Sequence, residues 1–207
     1  MADVIWSRFG LIDRRRLMLS AGASLIAWPA LAQKTEQAGA VNALTGAAFA
    51  EAGSERRALN STAPVFIGDK IATEKDSRLA MLLGTDTTLR LGERTSVTID
   101  RFLVNAGGEI VLDSGRLLFD RPSTGPTVNI RSPYGLIAVR GTKFFAGMLE
   151  GKFGVFVERG KVDVTAARRT VLLGSGEGTD IARHGAPPTA PKVWGAPRIK
   201  LALDSVS

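Results

Sequence analysis

From residue 33 onward, Gly, Asp, Pro and Ser interrupt the chain at intervals of roughly 8 to 12 residues. Between the interruptions, apolar residues recur at every second position. Period 2 belongs to a strand, whose successive side chains point to opposite faces. Leu89 and Leu91 alternate with polar neighbours, as do Val97 and Ile99. Ile110-Val111-Leu112 and Arg116 to Phe119 flank Asp113-Ser114-Gly115. Phe153, Val155 and Val157 share one face before the turn Arg159-Gly160, and Val162 and Val164 repeat the pattern. Arg78 to Leu83 is apolar on both faces and is expected at the centre of a sheet. Helical periodicity is missing between these runs, which argues against a βαβ sheet. The expected fold is all-β, an antiparallel sandwich or roll, or a short solenoid-like stack of many short strands. Gly174-Ser175-Gly176-Glu177-Gly178 lacks a following Lys-Ser/Thr and a helix, so it is expected to be a hairpin turn and not a phosphate cradle.

Before residue 33 the chain has a different character. Arg14-Arg15-Arg16 precedes an apolar stretch, Leu17 to Leu31, that ends in Ala30-Leu31-Ala32. A basic head, a short apolar segment and an A-x-A site in that order form an export signal. Arg14 and Arg15 look like a twin-arginine motif, and Ala30 and Ala32 fit the small-residue pockets of a signal peptidase. The stretch is shorter than the roughly 20 residues needed to span a bilayer. Residues 1–32 are therefore expected to form a helical signal peptide, leaving a periplasmic protein that meets the inner membrane only during export. Residues 33–184 form the β domain. Residues 185–207, punctuated by Pro187, Pro188, Pro191 and Pro197, are expected to be an extended tail with an ordered end near Ile199 to Val206.

The side-chain inventory limits the chemistry. Cysteine is absent, which removes disulfides, thiolate metal sites and a Cys nucleophile. The single histidine, His184, lies beside Arg183 and Gly185, where a solvated loop residue is the expectation. No G-x-S-x-G elbow accompanies it. The carboxylates Asp69, Glu74, Asp86, Asp100, Asp113 and Asp120 fall mostly in turns, where Asp caps its own backbone. The chain is expected to be no enzyme and to use no cofactor or metal. The net charge of +7 comes from scattered Lys and Arg with no basic stripe or aromatic platform, so nucleic acid is not an expected partner.

Several motifs, in order, resemble a FecR domain across roughly residues 40 to 183. Gly68-Asp69-Lys70-Ile71-Ala72-Thr73, Ser77-Arg78-Leu79 and Leu89-Arg90-Leu91-Gly92 resemble its opening. Ser132-Pro133-Tyr134-Gly135 followed by Val139-Arg140-Gly141-Thr142-Lys143-Phe144 is similar to its "T-P-x-G…V-R-G-T-x-F" hallmark. Val157 to Val162 matches its later turn. The resemblance implies an envelope β-domain whose marked positions are Gly68, Asp69, Thr73, Pro133, Gly135, Arg140, Gly141, Thr142 and Phe144. Well-known members relay a signal from a TonB-dependent receptor to a sigma factor. Only a dozen or so residues precede the arginines, so a cytoplasmic sigma-binding domain is not expected here.

Physically, Gly141 is expected to allow a bulge or close strand approach. Arg140, in an apolar strand, is expected to pair with a buried acceptor, or else to face a groove together with Thr142. Three functions follow. The first is a periplasmic module that binds or scaffolds an envelope protein or polymer, or perceives a signal there. The second is a component of FecR-type transmembrane signalling. The third is a carboxylate-based envelope enzyme. Exposed strand edges offer a further route to a partner by β-addition.

Overall fold

A computed structural model describes residues 36–103, 107–122 and 125–207. Arg14, Arg15, Ala30 and Ala32 lie outside the described residues. The elements run β1 (Gln37–Thr45), β2 (Ala48–Ala52), β3 (Glu55–Ala58), β4 (Pro64–Phe66), β5 (Lys70–Thr73), β6 (Arg78–Leu83), β7 (Thr87–Leu91), β8 (Ser96–Leu103) and β9 (Gly107–Ser114). They continue with β10 (Arg116–Asp120), β11 (Val128–Ser132), β12 (Gly135–Val139), β13 (Lys143–Leu149), β14 (Lys152–Arg159), β15 (Val162–Ala166), β16 (Arg169–Leu173), β17 (Glu177–Ile181), β18 (Lys192–Val193) and α1 (Ala196–Asp204).

Among the described residues the strands build two nine-stranded sheets. Sheet A has the order β18-β17-β14-β13-β10-β7-β6-β1-β4, and sheet B the order β16-β15-β12-β11-β9-β8-β5-β2-β3. From β5 onward the chain moves steadily along both sheets, laying down one or two strands in A and then one or two in B. The fold is therefore an all-β sandwich with a solenoid-like progression, as the alternation implied. Pairing is antiparallel except between β9 and β11. Between the sheets lies a single core, to which each strand contributes every second side chain. Leu89 and Leu91, Val97 and Ile99, Ile110 and Leu112, Val155 and Val157, and Val162 and Val164 all point into it. Arg78–Leu83 takes an interior place in sheet A, between β1 and β7.

Turn chemistry decides whether a connection stays in its sheet. Hairpins such as β11–β12 and β15–β16 remain within sheet B. The Gly-rich run after β16 does not make a hairpin. It carries the chain from β16 in sheet B to β17 in sheet A. Glu177 closes it: its backbone N–H donates to the Gly174 carbonyl at 3.1 Å, and its carboxylate accepts the Gly174 N–H at 2.7 Å. An expected hairpin is thus a switch between sheets, because a tight turn can feed either a neighbouring strand or the facing sheet.

The C-terminal segment folds onto the β unit, which continues through Ser207. Residues after Gly185 run as a strap, with the Thr179 hydroxyl donating to the Thr189 carbonyl at 2.8 Å. β18 then adds to β17, and Pro197 starts α1, where its missing N–H costs no intrahelical bond. Leu118, Phe145, Leu149 and Phe156 make the outer face of sheet A apolar at this end. Trp194, Ala202 and Val206 cover them in a second core.

Candidate functional site

The marked positions of the sequence fall at both ends of the sandwich. Thr73, Pro133 and Gly135 lie at the end where β5 and β11 finish and β12 begins. Gly68, Asp69, Arg140, Gly141 and Thr142 lie at the opposite end. They do not converge on one site, and most of them organise the backbone.

Gly68, with φ of +90°, occupies the third position of the turn Phe66–Asp69, where a left-handed conformation is needed. The Asp69 N–H closes the turn onto the Phe66 carbonyl at 3.2 Å. The buried Asp69 carboxylate accepts the Phe66 N–H at 2.8 Å and pairs with the Arg57 guanidinium. Arg57 also donates to the Pro64 carbonyl and lies over the Phe66 ring. Thr73 staples β5 to the loop before β8: its hydroxyl donates to the Gly92 carbonyl at 2.6 Å and accepts the Thr95 N–H at 3.0 Å.

In the β11–β12 hairpin the Ser132 hydroxyl accepts the N–H groups of Tyr134 and Gly135, both at 3.2 Å. A Cβ on Gly135 would stand 2.5 Å from the Thr165 carbonyl oxygen, so the approach of β15 demands glycine there.

The expectation for Arg140 is corrected. Val139 points into the core, so the next residue faces outward, and Arg140 is exposed. It makes no hydrogen bond or ion pair among the described residues. Gly141 has φ of +61°, as its expected special backbone requires, but it sits in the bend between β12 and β13 and not inside a strand. That bend turns Thr142 inward, where it is buried, and its carbonyl accepts the Arg121 N–H at 2.9 Å. Arg140 and Thr142 therefore do not share a groove. Phe144 is core, with its ring 5.5 Å from that of Phe119.

Two concave surfaces remain. At the end holding Pro133, a cavity of about 140 Å³ is lined by Leu112, Pro133, Tyr134, Met148, Phe153 and His184. Tyr134 stacks on Phe153 at 4.7 Å, and the exposed His184 meets the Tyr134 ring edge-on at 4.4 Å. The expected solvated histidine is thus exposed but held by an aromatic face.

The larger feature is a groove of about 370 Å³ on the outer face of sheet A, beside the end of α1. Asn42, Thr45, Arg78, Thr88, Arg90 and Ser207 supply its polar lining. Lys143 and Asp120 border a smaller hollow of about 80 Å³ that shares Thr88 and Arg90. Alternation places these side chains: Leu79, Leu89 and Leu91 face the core, so Arg78, Thr88 and Arg90 face out. Arg90 has no hydrogen bond or ion pair among the described residues. Arg78 donates only to the Ser77 carbonyl, at 3.2 Å. Glu93 is held below the ordinary carboxylate range, first by the hydrogen bond it accepts from the Asp76 N–H and then by the charges of Arg94, Arg116 and Arg78. The groove can thus attract an anion, with threonine hydroxyls to complete its hydrogen bonds. Sequence reasoning missed it. The signal available was the Thr-x-Arg alternation of β7, but nothing local says which sheet face lies outside. Among the described residues, no three His, Cys, Asp or Glu side chains gather as metal ligands.

The comparisons agree with this architecture. The sequence model of the FecR protein family matches residues 69–163. Two solved structures from Parabacteroides distasonis, both described provisionally as an anti-sigma factor, share the fold at 16% identity, with TM-scores of 0.55 and 0.54. Each alignment covers 65% of this chain, which spans 64% and 63% of those chains. No curated protein matches the sequence. The match lies on the strands and turns whose marked residues organise the sandwich, and the chain is accordingly a member of the FecR-domain family through residues 69–163.

Proposed function

We propose that the chain is a FecR-type signal-perception module of the bacterial periplasm, one that binds an anionic envelope protein or polymer and catalyses no reaction. The observation that carries this reading is the sheet A groove, where Arg78 and Arg90 present guanidinium groups that no carboxylate neutralises within ion-pair distance among the described residues. A guanidinium left unpaired over a concave surface suits recognition of carboxylate or phosphate. The export signal read at Arg14-Arg15 and Ala30-Leu31-Ala32 supports a place outside the inner membrane.

The test is capture from an envelope extract by the wild-type chain and by the Arg78→Ala/Arg90→Ala variant, quantified by mass spectrometry. A bound species depleted at least about fivefold in the variant, the effect of losing roughly 1 kcal/mol of charge-assisted bonding, supports the reading. Equal capture by both proteins defeats it. Mass spectrometry of the periplasmic form should find a chain beginning at Gln33. The second reading, regulation of a sigma factor, is favoured by the fold shared with the two Parabacteroides distasonis chains. A sigma-dependent reporter that does not respond to deletion of the gene would remove it.

A further inference from the structure

Sheet edges expose unpaired N–H and C=O groups, and folded proteins usually blunt them. Three of the four edges here are blunted. β4 begins with Pro64 and is three residues long, and β18 has two residues. β3 carries Glu55, Arg56 and Arg57, with Arg56 reaching Glu51 and Glu74 and Arg57 paired to Asp69. The fourth edge, β16, is different. It has five residues, Arg-Thr-Val-Leu-Leu, with no proline, and Leu172 is 54% exposed.

The register shows which groups of β16 are free. β15 and β16 join through Ala167-Arg168, both at positive φ (47° and 63°), the geometry of a two-residue type I′ turn. That turn makes Ala166–Arg169 a hydrogen-bonded pair, and strict alternation follows. Val164–Val171 and Val162–Leu173 are also bonded, whereas Thr165–Thr170 and Asp163–Leu172 are not. The Thr165 and Thr170 hydroxyls lie 2.8 Å apart, as the closer spacing of a non-bonded pair allows. The N–H and C=O groups of Thr170 and Leu172 therefore point away from β15, along the open edge. Arg168 and Arg169 are exposed at one end of this edge and Lys161 at the other, with Asp163 on the neighbouring strand. Two copies of this edge, paired antiparallel, would set Arg168 and Arg169 of one against Lys161 of the other. Like charges disfavour that arrangement, and an acidic strand suits it.

We infer that β16 is a docking strand for an extended acidic segment of a partner polypeptide, which adds to sheet B as a tenth strand through the backbone of Thr170 and Leu172 and seats an apolar side chain beside Leu172. The inference rests on the chain being a binding module. It concerns a different surface from the groove, so the two readings fail separately.

The probe is a synthetic peptide, Glu-Thr-Val-Thr-Val-Thr-Glu, titrated against the chain from residue 33 by calorimetry. We expect saturable binding, weakened at least tenfold in Leu172→Pro and in Thr170→Pro. Each substitution removes only an N–H that faces away from β15, so circular dichroism and the unfolding midpoint should remain near wild type. Peptides N-methylated at alternate positions leave the protein untouched. One alternation should abolish binding and the other should preserve it, because only one row of N–H groups faces β16. Several results would overturn the inference. One is no binding at up to about 1 mM peptide, a weak limit even for a small interface. Another is equal binding by folded Leu172→Pro, and a third is equal loss with both methylation patterns. A wild-type dimer in sedimentation that Leu172→Pro dissolves would replace the acidic strand with a second copy.

Discussion

Removing the carboxylate of Asp180 should undock the C-terminal helix at neutral pH and have little effect in acid. Asp180 lies on β17 with its side chain 6% exposed, and Arg198 of α1, 19% exposed, grips both carboxylate oxygens at 3.1 and 2.5 Å. Lys192 stands 3.5 Å away. A fully buried pair costs about 3–5 kcal/mol when one partner is removed, and an exposed pair about 0.2–1 kcal/mol. Here the guanidinium is not stranded by Asp180→Asn. It keeps the Trp194 ring at 3.9 Å and Glu150 at 3.5 Å, and the amide oxygen can still accept one bond. The expected cost lies between the two limits, about 2 kcal/mol. Burial pushes the Asp180 carboxyl up, but the Arg198 hydrogen bonds and charge, with Lys192, outweigh it and hold the group below its ordinary value of 3.8. A carboxyl depressed in the folded state stabilises fully above its unfolded pKa, and the contribution fades as pH falls through the lower folded value. Urea unfolding should therefore show a constant gap between wild type and Asp180→Asn from pH 7 to about 5, narrowing below about pH 4. Trp194 is the only tryptophan beyond residue 32, so its fluorescence reports docking of the strap and helix while circular dichroism follows the sheets. A gap that stays the same in acid would refute the charge argument, leaving shape or packing as the cause.

Other positions separate backbone roles from surface roles. Arg140→Ala should change stability by no more than about 0.5 kcal/mol in urea unfolding, since the side chain is exposed and makes no bond among the described residues. Gly141→Val should cost about 1–3 kcal/mol in the same assay, because a β-branched residue at φ of +61° is strained. In the β15–β16 turn, Ala167→Asn with Arg168→Gly should raise stability by about 1 kcal/mol, since both positions hold ordinary residues at positive φ where type I′ turns favour Asn-Gly. An unchanged or lowered urea midpoint would contradict that turn assignment. Phe144→Ala should cost about 3–5 kcal/mol, as the ring is fully buried against Phe119.

Much of this architecture is legible in the residues themselves. Alternation assigns Leu89, Leu91, Val97, Ile99, Val162 and Val164 to an inner face because a strand turns each side chain 180° from the last, a property of the backbone alone. Gly68 and Gly141 mark left-handed bends for an equally local reason, the clash of a Cβ at positive φ. Tertiary structure decides what depends on distant partners. The turns after β14 and β16 switch sheets while that after β15 does not, because the choice is made by the hydrogen bonds of strands elsewhere in the chain. Arg140 is outside and Thr142 inside because the bend at Gly141 resets the alternation between two strands in different sheets. The apolar outer positions Leu118, Phe145 and Phe156 explain why the Pro-rich end folds back as β18 and α1, yet only the assembled sheet A places those three side chains on one surface. The open edge at β16 and the groove at Arg78 and Arg90 exist for the same reason. Strand order, which no local window contains, determines which strand comes last and which face stays uncovered.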